Sequence, residues 1–135
     1  MATLLQSRNL NISINRNAKD VYDFVSVPEN FRLWASGLGK SLKKVNGELL
    51  AETPEGAAKI RFTEHNELGI LDHWVSTKLG LEIYIPMRVI PNGGSGSELI
   101  FTLFRLPGVS DEKFATDAEW VMRDLTALKN LLESQ

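Results

Sequence analysis

The chain has no cysteine and only two histidines in 135 residues. Without thiols there is no disulfide framework, no thiolate metal ligand and no cysteine nucleophile. A metal site would need both His65 and His73 plus a carboxylate such as Glu64 or Asp72, and we expect none. Long apolar runs are missing too: nothing approaches the roughly 18 residues of a membrane span, and Met1 to Arg8 lacks a basic stretch followed by an apolar one. A soluble cytoplasmic protein with no integral membrane segment is the expectation. Excess charge of either sign is also absent. Fifteen Lys and Arg face seventeen Asp and Glu, net −2, with the signs interspersed, so no broad basic field exists to hold nucleic acid. Lys40, Lys43 and Lys44 read as a solvated strand edge. The glycine-rich stretch Asn92 to Gly96 has no Gly-Lys-Ser/Thr and opens no helix, so it reads as a hairpin loop and not a phosphate cradle.

The length fits a single domain over residues 1–135, large enough to bury a core without staples. Asn9 to Asn15 alternates, with Leu10, Ile12 and Ile14 on one side, as a half-buried strand does. Asn17 can cap a helix from Ala18 to Val25, and Pro28 ends it and can open a second short helix reaching Ala35. After Gly37-Leu-Gly39 a hairpin spans Ser41 to Glu52, turning at Asn46-Gly47, where positive φ is tolerated twice. A turn at Thr53-Pro-Glu-Gly56 precedes strands near Ala57 to His65, Gly69 to Leu79, Leu81 to Ile90 and Ser97 to Leu106. Pro107-Gly108 ends the sheet. Ser110 caps the last helix, with Asp111 and Glu112 in a first turn whose dipole favours them.

That helix carries Phe114, Ala118, Val121, Leu125, Leu128 and Leu132 at alternating spacings of four and three, which places them on one stripe. Its natural partner is the apolar face of the preceding sheet. Ala118 is small where a filled core would favour a large residue, and so predicts room for a cavity between helix and sheet.

The order of strand, two short helices, meander and long terminal helix resembles the helix-grip fold of the START-like (SRPBCC) superfamily. The local carriers are Ile14-Asn-Arg-Asn-Ala-Lys-Asp-Val-Tyr-Asp-Phe24, Asn30-Phe-Arg-Leu-Trp34 and Asp124-Leu-Thr-Ala-Leu-Lys-Asn-Leu-Leu-Glu133, which are most similar to the polyketide cyclase/dehydrase and lipid-transport branch. The resemblance covers essentially the whole chain. It implies an α+β fold in which a curved antiparallel sheet of about seven strands wraps the C-terminal helix around an apolar cavity. It does not imply one chemistry.

Strand parity sorts the side chains, because a slip of one residue would exchange the faces. Ile60 and Phe62, then Ile83, Ile85, Met87 and Val89, then Leu99, Phe101 and Leu103 face the helix, while Lys59, Arg61, Tyr84, Arg88, Glu98 and Phe104 face out. Arg88 and Glu98 are expected to pair across neighbouring strands. In the strand after Gly69, the set Leu71, His73, Val75 and Thr77 is the more apolar and goes inside, leaving Asp72 in water. His73 and Asp72 then point apart and form no dyad.

An inward His73 is either a general acid/base or a satisfied core histidine, and Glu64 is either a buried acid or a solvated hairpin end. Trp34, Phe62, His73, Met87, Phe101, Ala118, Trp120 and Val121 are the expected ligand contacts, with Trp120 open to the alternative of plain core packing. The resemblance thus implies binding of a small hydrophobic or amphipathic ligand such as a lipid, quinone or polyketide-like aromatic, without a cofactor. One alternative is a cyclase or dehydratase using His73 with Glu64 or Thr77. Another is an interaction module using the outer patch of Trp74, Tyr84 and Phe104, in a monomer or weak homodimer.

Overall fold

A computed structural model describes residues 4–36, 41–53, 56–78 and 80–135. Gly37-Leu-Gly39, Lys40 and the Pro54-Glu55 part of the expected turn lie outside the described residues.

Strand β1 (Ser7–Ile14) leads into helix α1 (Ala18–Val25), where the Asn17 side chain accepts from the Asp20 amide as the sequence predicts. Val21, Tyr22 and Val25 are its buried face. The 3-10 turn Pro28–Asn30 and helix α2 (Phe31–Trp34) follow, burying Phe31 and Trp34. The hairpin of β2 (Lys43–Val45) and β3 (Glu48–Thr53) turns with Asn46 at φ 52° and Gly47 at φ 82°, the doubly positive pair that suits the strand twist. Strands β4 (Gly56–Phe62), β5 (His73–Ser76), β6 (Glu82–Ile85), β7 (Met87–Asn92) and β8 (Gly96–Phe104) complete the sheet, and α3 (Asp111–Glu133) closes the chain.

Eight strands are present among the described residues where about seven are expected, because the stretch 81–90 is divided at Pro86. β6 pairs with β5 in the antiparallel set β2-β3-β4-β5-β6, whereas β7 pairs with β8 in the set β1-β8-β7. The cause is local. Pro86 has no N–H to return to Thr102 on β8, whose own amide reaches the Pro86 carbonyl (3.0 Å), and the Met87 amide goes to the Asp72 side chain rather than to the Leu71 carbonyl opposite it. Within the expected strand 69–79, of which Leu79 lies outside the described residues, β5 covers His73–Ser76, and the pairing continues before it in the same register, with Leu71 N–H donating to the Met87 carbonyl (2.8 Å) and Val89 N–H to that of Gly69 (3.0 Å). Odd-numbered residues keep facing inward on both sides of the break, so Ile83 and Ile85 remain on one face with Met87 and Val89.

The core lies between this curved sheet and α3. Ser110 caps α3 by accepting from the Lys113 amide (3.0 Å), and Phe114, Ala118, Leu125, Leu128 and Leu132 are buried, as the stripe predicts. The far end of the helix is tied to the start of the chain: Arg16 donates to the Leu132 carbonyl (2.8 Å) and Lys129 to that of Ser13 (2.7 Å). The helix is therefore half of the core. Truncating a buried leucine costs about 2 to 5 kcal/mol against the roughly 5 to 15 that hold a domain together. Leu128→Ala, at a fully buried position, should lower the denaturant midpoint sharply, and exposed Glu119→Ala should leave it nearly unchanged; equal midpoints would contradict this placement of the helix.

Candidate ligand-binding site

A cavity of about 170 Å³ opens between α2, the inner face of the sheet and the middle of α3. Phe31, Trp34 and Ala35 form one wall, Ile60, Val75, Ile85 and Phe101 the floor, and Val121 and Leu125 the helical side. Trp120, 44 % exposed, forms the outer rim with the Arg123 guanidinium 5.3 Å from its ring centre. An engineered void of comparable size, roughly 150 Å³, stays dry and takes up benzene. A wider cleft of about 580 Å³ lies between α1, residues 65–69 and β7, but Lys19, Asp23 and Glu67 line it. The first space is the one with apolar walls.

Three of the residues around this space carry polar groups. Burial leaves His73 only 3 % exposed, and its Nδ1 lies 3.1 Å from the Leu71 carbonyl. A carbonyl can only accept, so Nδ1 carries the proton and Nε2 is left as an acceptor. The ring is held by aromatic neighbours, with Phe62 at 5.3 Å and Phe31 at 5.8 Å between centroids. Desolvation dominates its titration: it lowers the His73 pKa from the ordinary 6.5, against smaller opposing effects of the Leu71 carbonyl and Asp72. The second group is the Trp34 indole, 5 % exposed, whose Nε1–H has no partner among the described residues. The third is Asp124, whose Oδ1 accepts from the Ser36 amide (3.2 Å) and hydroxyl (2.5 Å).

No family model matches the chain, and no curated protein matches its sequence. Solved structures do. An uncharacterized protein from Bacillus thuringiensis superposes with a TM-score of 0.72 at 15 % identity, covering 93 % of this chain and 98 % of that one. A START superfamily protein from Mycobacterium smegmatis gives 0.63 at 12 % identity over 95 % and 97 %. The di-domain ARO/CYC protein BexL of the BE-7585A biosynthetic pathway gives 0.67 at 17 % identity, covering 96 % of this chain and 47 % of its own. The chain has the START-like, helix-grip fold. At such identities the likeness concerns the fold alone.

Within this START-like frame Trp34, His73, Phe101, Trp120 and Val121 meet at the cavity, and three of the expected contacts do not. Phe62 stands behind His73 and 5.7 Å from Phe31. Met87 is 1 % exposed and packed in the core. Ala118, at 2 %, is packed as well: its small side chain lies against neighbouring core residues rather than beside a void, and the open space lies further along α3, by Val121 and Leu125. Glu64 is exposed and Thr77 is absent from the lining, so neither accompanies His73. His65 is far from His73 in its environment, exposed and against Tyr22 at 5.1 Å between ring centres; among the described residues no group of three or more potential metal ligands gathers.

Asp72 is the largest departure from expectation. It is outward-facing but only 5 % exposed, and it accepts from Tyr84 Oη (2.8 Å), Met87 N–H (2.8 Å) and two nitrogens of Arg88 (3.0 and 2.9 Å). The expected Arg88–Glu98 pair is therefore not formed: Arg88 stands opposite Ile100 on β8, and Glu98 instead accepts from Asn11, Ser13 and Asn92. The Met87 amide takes a side-chain acceptor because the Leu71 carbonyl opposite it is held by His73 Nδ1, a local exchange with no sequence signal. Burial pushes the Asp72 carboxyl up, but Arg88, the Met87 amide and Tyr84 together outweigh it and hold the group below its usual range. The outer aromatics are tied to this network, with Trp74 stacked on Tyr84 at 5.4 Å, Tyr84 on Phe104 at 6.4 Å, and Arg61 4.2 Å over Trp74.

Both shifts have the same sign of effect. A folded-state pKa below the unfolded value means the native state binds fewer protons, so the stability contributed is complete above the unfolded pKa and lost as pH falls through the folded one. His73 should thus begin to cost stability below about pH 6.5, its ordinary value, and Asp72 only in strong acid. NMR titration should find His73 protonating below the ordinary histidine value, and His73→Gln should flatten the loss of stability between pH 7 and 5. A His73 that titrates like a hydrated imidazole would contradict its burial. Asp72→Ala should destabilise by about 2 to 4 kcal/mol, since it orphans a buried amide and an arginine; Glu48→Ala, which removes only a surface pair with Lys59, should cost under about 1 kcal/mol.

Proposed function

We propose that this protein binds a small hydrophobic or amphipathic ligand in the cavity between the sheet and α3. The observation that carries the reading is the near-continuous apolar wall of Phe31, Ile60, Val75, Ile85, Phe101, Val121 and Leu125 around a space of about 170 Å³. Such a space is more favourably filled by an apolar molecule than by water, which would need several polar partners there. The START-like fold supports it, as a frame in which a curved sheet and a terminal helix leave space between them. Among the described residues no helix is long and apolar enough to cross a membrane, and the charge is balanced; a carrier or sensor of such a compound fits both.

A second reading, a cyclase- or dehydratase-type enzyme, has one observation in its favour. His73 is held neutral with Nε2 free to accept a proton, and Asp124 lines the same cavity. Proton transfer to an enclosed substrate would need no more than these groups in reach of it.

The binding reading is tested at Val121, half-buried on the cavity side of α3. A panel of one-ring apolar compounds should raise the melting temperature of the wild type by mass action. Val121→Phe should remain folded and lose that stabilisation because the ring occupies the space. An unmoved wild-type melting temperature across the panel would refute binding here; retained stabilisation in Val121→Phe would place it elsewhere.

A further inference from the structure

The side chains around the cavity are chemically one-sided. Among the described residues that line it there is no lysine, arginine, serine or threonine, and the ionisable ones are His73 and Asp124. Both accept. His73 commits its one ring proton to the Leu71 carbonyl, which leaves Nε2 as an acceptor. Asp124 takes the Ser36 amide and hydroxyl on Oδ1 and forms no ion pair with any described residue. The buried side-chain nitrogens and oxygens without a partner among the described residues are Trp34 Nε1 and Ser97 Oγ, so the Trp34 N–H is sealed inside the protein and gives this space no donor. His73 Nε2 and Asp124 Oδ2 are equally without a partner but are not sealed in that way. Each therefore opens onto space: for His73, 3 % exposed, this is the cavity that it lines, and Asp124, half-buried one turn along α3 from Trp120 on the rim, stands at the mouth. Four aromatic rings, Phe31, Trp34, Phe101 and Trp120, line the same space. The face of such a ring attracts a cation, as the Arg123 guanidinium beside Trp120 illustrates.

We infer, resting on the binding reading above, that the ligand is a protonated one-ring arylalkylamine whose ring fills the apolar space and whose ammonium donates to Asp124 at the mouth. Such a cation supplies what the site lacks, a donor and a positive charge, in a charge-assisted hydrogen bond. The aromatic walls favour it further, and His73, neutral with an accepting nitrogen, does not repel it. A hydrocarbon of the same shape leaves the carboxylate without a counter-charge beside an apolar enclosure. A carboxylate ligand meets no side-chain donor among the lining residues and brings like charge toward Asp124. The size of the space, about 170 Å³, sets the limit at a substituted benzene and excludes a full-length acyl chain or a polycycle.

The test is calorimetric titration at pH 7 with benzylamine, its uncharged isostere ethylbenzene, and benzoate, on wild type, Asp124→Asn and Val121→Phe. Wild type should bind benzylamine about tenfold more tightly than ethylbenzene, the low end of what a hydrogen bond to a charged group supports, and benzoate least of all. Asp124→Asn keeps an oxygen for Ser36 to donate to but removes the charge; it should bind ethylbenzene as wild type does and benzylamine no more tightly. Val121→Phe, which fills the space, should lose both compounds. In parallel, nuclear Overhauser contacts between the ring protons of bound benzylamine and the Val121 methyls should place the ring in the cavity; this readout and the wild-type order of the three compounds stand even where a variant fails to fold. Ethylbenzene bound as tightly as benzylamine, a preference for benzoate, a preference for the amine that persists in Asp124→Asn, or amine binding that survives in Val121→Phe would overturn the inference while ethylbenzene binding leaves the cavity reading intact. Binding of none of the three would overturn both.

Discussion

A proline opposite an aspartate governs how this sheet is joined. Pro86 has no N–H to return to β8, and on the β5 side Asp72, one residue before β5, accepts the Met87 amide in place of the Leu71 carbonyl, which His73 Nδ1 holds. The same carboxylate gathers Tyr84 from β6 and Arg88 from β7. One buried group therefore spans the seam between the five-stranded and three-stranded sets, and the Thr102 amide meets the Pro86 carbonyl (3.0 Å) from the β8 side. A buried carboxylate is tolerable only because its lone pairs are so fully used. The seam lets the sheet change direction without reversing which residues face inward, and that is what keeps His73, Val75, Ile85 and Phe101 on one concave surface.

The cavity follows from that curvature together with the terminal helix. α3 closes over the concave face through Leu125, Leu128 and Leu132, fully buried, and its C-terminal turn is fixed to Ser13 and Arg16. Near Val121 and Asp124 the helix meets short α2 rather than a strand, and Ser36 binds Asp124 there. The uncovered volume lies beneath that junction. Its walls are apolar because every contributing strand presents its inward parity, and the ionisable residues that line it are His73 on β5 and Asp124 on α3.

Much of this was legible from residue order. The caps at Asn17 and Ser110, the Asn46-Gly47 turn, the helical stripe and the inward set on each strand are local rules, and local rules survive folding when they agree with one another. His73 fell inside because its alternate neighbours Leu71 and Val75 are apolar. The failures were of a different kind. Asp72 was assigned to water because parity states direction and not depth, and outward residues can be covered by their own neighbours, here Arg88 and Tyr84. Ala118 suggested a void because a small residue can mark either a gap or close packing, and only the position of the surrounding elements decides which. The orphaned Trp34 indole had no signature in sequence at all.

The central claim is that the space beside Trp34 and Phe101 is a preformed apolar binding cavity. Crystals of the protein pressurised with xenon test it most directly, since xenon enters dry apolar voids without hydrogen bonds. The account predicts a xenon atom bounded by Phe31, Ile60, Phe101 and Leu125 with the side chains undisplaced. Side chains filling that volume, or xenon only in the cleft beside His65, would contradict it.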